Sequence, residues 1–186
     1  MSSGIVSAKN QKQEKMKELK QTKKSEVINA SAEDLWKIIG PGFANAYEWS
    51  TAIDHSAGSG AAEFEGATCS ERSCELNAKG FSKIGEKLTE YDAQQKVLAY
   101  DAHIGLPGFV TYANNQWRVV ELESGKSSLE MTITMRLKPF MGALMGGMFK
   151  KNLNNTIDSV LRDLKVYTET GEDSQQKKDR MAALSK

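Results

Sequence analysis

Residues 127–138 constrain the fold most. Leu129, Met131, Ile133, Met135 and Leu137 alternate with Glu130, Thr132, Thr134, Arg136 and Lys138. Side chains alternate between the two faces of a strand, so this is a strand with one apolar and one wet face. Pro139 closes it, and beyond it the period changes from two to three and four. Met141, Leu144, Met145, Met148, Phe149, Leu153, Ile157, Val160, Leu161 and Leu164 fall on one stripe of a long helix over 141–169. Gly171 is a natural stop. A one-sided strand followed by a one-sided helix has to bury the two apolar faces together.

Upstream, residues 25–30 (SEVINA) read as a short first strand. Ser31 follows as a helix N-cap, with Asp34 at the third helical position. Leu35, Trp36, Ile38 and Ile39 make that helix amphipathic. Gly40-Pro41-Gly42 breaks it, and a second short helix is expected over 43–49. Stretches 52–56, 68–77, 82–91, 96–104, 110–122 and 127–138 are then separated by turn residues at hairpin spacing. That pattern predicts an antiparallel meander.

Composition narrows the function. At 186 residues the chain is one domain with tails. Lys and Arg number 25 against 24 Asp and Glu, a net charge of +1, which argues against a dedicated nucleic-acid partner. No apolar run approaches the roughly 20 residues of a membrane helix, so no stable membrane insertion is expected. The N-terminus lacks the apolar core of a secretory signal, which places the expected setting in the cytoplasm. Residues 1–24 hold seven Lys and two Glu, hence +5. The expected organisation is a flexible basic arm over 1–23, a domain over 24–171 and a polar, mobile tail over 172–186 with a short helix at 178–184.

Cys69 and Cys74 lie five apart, an odd spacing that suits neither a disulfide nor a metal pair on one strand. No His stands at zinc-site spacing, so no metal is expected, and His55 and His103 are weak candidates for a general base. GxSxG, P-loop and HExxH patterns are absent, as is a βαβ unit for a dinucleotide, so no cofactor is expected.

Strand alternation nominates cavity residues. Arg72, Cys74 and Leu76 share one face, as do Ile84, Glu86 and Leu88, and as do Leu98, Tyr100, Ala102 and Ile104. If the apolar members point inward, Arg72 and Glu86 point inward on neighbouring strands of a hairpin. A buried charge is tolerated when paired, so an inward Arg72–Glu86 pair is predicted. It reads either as a polar anchor or acid/base group in a greasy pocket, or as a structural ion pair. Tyr100 reads as a hydroxyl for a ligand or as a plain buried tyrosine. Trp117 and Val119 read as inward, with Asn114 and Gln116 as candidate polar lining. The helix start FMGALMGGMF combines flexible Met with Gly, which costs about 1 kcal/mol per helix position relative to Ala. It fits a deformable cavity wall or a Met-filled core.

The order of elements, with the strings VINASAEDLWKIIG, a following Trp49, IGEKLTEYD, VLAYDAHIGLPG and LKVYTETGE, resembles the bacterial SRPBCC proteins of the START and Bet v 1-like superfamily. Within them the chain is similar to the polyketide cyclase/dehydrase-type branch, over residues 24–172. The resemblance implies an α+β helix-grip fold: a seven-stranded antiparallel sheet wrapped around a long C-terminal helix, with two short helices between strands 1 and 2. It implies a cavity for lipids, sterols, aromatic polyketides or similar molecules, and no universal catalytic motif. The expected function is binding or transport of a small hydrophobic ligand. The expected pocket is lined by Trp49, Arg72, Leu76, Ile84, Glu86, Leu88, Tyr100, Trp117, Met131, Ile133, Met135, Met145, Met148, Phe149 and Leu153. The alternatives are a cyclase/dehydratase-like enzyme, with Glu86, Arg72 and Tyr100 as catalytic candidates, and a protein-interaction accessory module.

Overall fold

The alternating segment forms β7 (Lys126–Leu137) in a computed structural model that describes residues 16–77, 82–139 and 146–185. With β1 (Lys17–Lys24), β2 (Ile53–Ser59), β3 (Glu71–Leu76), β4 (Lys83–Asp92), β5 (Val97–Ile104) and β6 (Val110–Glu123) it makes one seven-stranded sheet. The strand order is β1-β7-β6-β5-β4-β3-β2, and every neighbouring pair is antiparallel. Consecutive strands pair directly except where α1 (Ala32–Ile39) and a 3₁₀ helix (Phe43–Glu48) carry the chain from β1 to β2 at opposite edges. The Glu123–Lys126 turn places Gly125 at φ +74°, a left-handed position that favours glycine.

Ser31 caps α1 by accepting from the Asp34 amide at 3.1 Å. The long helix α2 (Gly146–Thr170) ends at Gly171, whose φ is +72° and whose amide donates to the Tyr167 carbonyl at 2.8 Å. One core joins the layers. Leu35, Trp36 and Ile39 of α1, Ile157, Leu161 and Leu164 of α2, and Leu129, Met131 and Ile133 of β7 are all buried in it. Residues 141–145 of the anticipated helix lie outside the described residues.

Two tail assignments are corrected. The first strand is not 25–30 but β1, which pairs along β7 from Lys17↔Leu137 to Lys24↔Glu130. It takes residues 17–23 out of the expected arm. SEVINA contributes an isolated bridge, Ile28↔Ser127, the hydrogen bonds of Ser25 with Leu129, and the fully buried Ile28 side chain. KELKQTKK hides its strand character because backbone hydrogen bonds hold it, and its inward lysine is solvated by protein. Lys23 Nζ reaches Asp158 Oδ1 at 2.5 Å and the Asn154 carbonyl at 3.2 Å, both on α2. A Lys-rich strand at a sheet edge also discourages edge-to-edge pairing.

The expected mobile tail instead holds a docked helix, α3 (Gln175–Leu184), which contains the short helix anticipated at 178–184. Ser174 caps it and donates to Asp163 Oδ1 at 2.7 Å. Lys177 is buried and donates to the Ile53 carbonyl at 2.8 Å, while Arg180 makes two bonds to Asp54, at 2.8 and 2.5 Å. This docking is polar, so it leaves no apolar periodicity to read.

No helix among the described residues is long and apolar enough to cross a membrane.

Candidate functional site

The β3–β4 register sets Arg72 directly opposite Glu86 on the inward face. Arg72 Nε donates to Glu86 Oε2 at 2.5 Å, and only 4% and 11% of the two side chains are exposed. Arg72 Nη1 donates to the Phe43 carbonyl at 2.6 Å. That carbonyl is available because Gly42 lets the chain pass tightly behind α1. A Cβ at Gly42 would lie 2.3 Å from the Ile38 carbonyl oxygen. The guanidinium stacks 4.1 Å from the centroid of the Phe43 ring and 4.9 Å from that of Tyr100, a desolvated cation–π sandwich. Cys74 Sγ lies 3.6 Å from Glu86 Oε2.

Electrostatics sets the protonation of Arg72, Cys74 and Tyr100. Burial, the largest single influence, disfavours the Arg72 charge, but Glu86, Tyr100 and Cys74 together outweigh it, and the pKa is raised. Burial pushes the Cys74 thiol up to about 12. Burial, then Glu86, raises the Tyr100 phenol as well. At neutral pH the arginine is therefore a permanent cation, and neither the thiol nor the phenol is a ready base or nucleophile.

A cavity of about 10 Å³ adjoins the cluster, enough for about one water-sized sphere. Trp49, Arg72, Tyr100 and Trp117 border it together with Phe43 and Ala46. Glu86, Leu88, Met131 and Ile133 are buried in the sheet's inward layer without bordering this cavity. Leu76, Ile84, Met135 and Leu153 are half-buried against the same core. Met145 lies outside the described residues, and so do the side chains of Met148 and Phe149.

Two residues of the site escaped the sequence. Phe43 matters through its carbonyl and ring, and a backbone acceptor has no sequence signature. Asn115, not Asn114 or Gln116, faces inward on β6 and donates from Nδ2 to the Tyr100 hydroxyl at 2.8 Å. Asn114 instead bonds Asp101 at 2.8 Å, and Gln116 bonds Glu90 at 2.7 Å. The signal was present: Trp117 and Val119 inward, counted back by two, gives Asn115. Ile104, read as inward with Tyr100, is 63% exposed because β4 slips register against β5 between Gly85 and Glu86. His55 and His103 are exposed. Cys69 and Cys74 are buried and free. Among the described residues no group of His, Cys, Asp and Glu is arranged to hold a metal ion.

Three polar atoms around this layer are buried and have no hydrogen-bond partner: Trp49 Nε1, Trp117 Nε1 and Asn115 Oδ1. Each such atom costs about 1–3 kcal/mol when left unpaired.

Among solved structures, norcoclaurine synthase from Thalictrum flavum superposes with a TM-score of 0.62 at 16% identity, over 88% of this chain and 98% of that one. The protein XoxI from Bacillus cereus gives 0.61 at 22% identity, over 78% and 92%. The Zhui aromatase/cyclase from Streptomyces sp. R1128 gives 0.60 at 12% identity, over 86% and 100%. At these identities the likeness establishes the fold, a Bet v 1-like helix-grip, and not the chemistry. No curated protein matches the sequence. The model of one family, described as polyketide cyclase / dehydrase and lipid transport, matches residues 20–169. On that match, over most of its length, the chain belongs to the polyketide cyclase / dehydrase and lipid transport family.

Proposed function

We propose that this protein binds a small, predominantly apolar ligand between the inward face of the sheet and its helices. The observation carrying this reading is the state of the polar groups there. Glu86 and the Phe43 carbonyl hold Arg72, and the thiol and phenol beside it are pushed away from reactivity. A catalytic constellation needs a group whose pKa lies near the working pH and whose proton can move. This cluster has instead a fixed cation enclosed by aromatic rings, which suits recognition more than turnover. The membership of aromatase/cyclases and norcoclaurine synthase in the same fold keeps cyclisation of an aromatic precursor as the second reading.

Titration with an anilinonaphthalene probe tests the proposal. One-to-one binding that quenches tryptophan emission and is competed by long-chain fatty acid or a polycyclic ketone is the expected result. No saturable binding of any apolar probe would overturn it. Turnover of a linear aromatic polyketide mimic, lost in Glu86→Gln, would move the assignment to the enzyme.

A further inference from the structure

Resting on that binding reading, we infer that the indole N–H groups of Trp49 and Trp117 form a subsite for a neutral oxygen acceptor at the buried tip of the ligand.

The two indoles border the same cavity, with ring centroids 6.1 Å apart and planes at 60°. Both residues are almost fully buried, at 3% and 5% exposure, and neither Nε1 has a partner. An indole N–H can only donate, so what satisfies it must be an acceptor. Trp36, the third tryptophan, packs on Tyr91 at 5.1 Å and does not border the cavity.

Arg72 is the obvious anchor for a ligand oxygen, but Glu86 already balances its charge and the Phe43 carbonyl already takes one of its N–H groups. An anionic ligand oxygen would therefore enter a neutral, buried site without a counter-charge, which is far more costly than burying a carbonyl. A free volume of about 10 Å³ admits one oxygen-sized group.

Asn115 lies two residues from Trp117 on the same strand face, and the way its amide is turned decides whether its unpaired atom is an acceptor or a donor. As oriented, its amide donates to the Tyr100 hydroxyl and leaves Oδ1 unpaired. Turned over, it would accept the Tyr100 proton and leave its own N–H groups free. The acceptor chemistry demanded by the indoles is the same in both orientations.

The test pairs 2-acetylnaphthalene with 2-isopropenylnaphthalene, which differ by C=O against C=CH₂. Protein labelled with ¹⁵N at the indoles reports three Nε1–H signals, one for each tryptophan. The inference expects both probes to bind, the ketone about tenfold more tightly, the value of one net hydrogen bond. It expects the ketone alone to move the Trp49 and Trp117 signals downfield, with Trp36 unmoved. Trp117→Phe should reduce the ketone preference and leave hydrocarbon binding in place. Equal affinities without indole shifts would overturn the subsite and leave the binding reading standing. Indole signals already downfield in the free protein, and unmoved by ketone, would assign the donors to a trapped water and also overturn it. Failure of both probes to bind would remove the binding reading, and the subsite with it.

Discussion

Arg72 and Glu86 sit where strand alternation puts them, and their pairing follows from the cost of burying either alone. Glu86→Gln is expected to strand the guanidinium and destabilise the fold by about 3–5 kcal/mol, read from urea unfolding. The double replacement Arg72→Met with Glu86→Leu is expected to recover most of that loss, because well-packed apolar pairs often match a buried ion pair. A single mutant as stable as the parent would show that the pair is not desolvated. The inward direction of both residues was legible because Cys74, Leu76, Ile84 and Leu88 flank them with period two. What held Arg72 was less legible. Its second partner is a carbonyl on the 3₁₀ helix, 29 positions away in sequence, brought there by a tight passage at Gly42. Asn115 was missed for a different reason: adjacent Asn114, Asn115 and Gln116 are all polar, so only the period of two counted back from Val119 and Trp117, and not composition, singles it out.

At the level of elements, β5, β6 and β7 were readable within a few residues, since β6 and β7 alternate between buried and more exposed positions and β5 is an apolar run bounded by turn residues. β1 was not, and of α3 the helix over 178–184 was read but not its docking, because both elements are held in place by polar contacts. α3 makes the sharper prediction. The Arg180 hydrogen bonds hold the Asp54 carboxyl below its ordinary value of 3.8. A carboxylate whose folded pKa is depressed stabilises the folded state fully above its unfolded pKa and loses that contribution as pH falls through the folded value. Docking of α3 should therefore be intact at neutral pH and weaken only below about pH 3.8. Arg180→Ala should remove that acid dependence. It should also raise amide hydrogen exchange across Gln175–Leu184 at neutral pH, while β6 and β7 keep their protection. Unchanged exchange in α3 would mean that buried Lys177 and the Ser174–Asp163 contact hold the helix without the ion pair.

Across the whole molecule, the order of strands and helices specified the fold before any single motif did. A helix-grip fold follows from one apolar strand face, a meander to extend it and a long apolar-striped helix to cover it. The ligand was not legible in the same way. Met131, Ile133 and Leu88 serve equally as core and as cavity wall, and alternation cannot tell the two apart. What separates them is the set of buried polar atoms left without partners, which appears only once the chain is folded. We propose that a small apolar molecule is taken up between the sheet and its helices. Native mass spectrometry of the protein purified from its own host tests it most directly. A stoichiometric, extractable adduct of a few hundred daltons that an apolar competitor displaces is expected, and repeated recovery of empty protein that also fails to take up any apolar probe would contradict ligand binding.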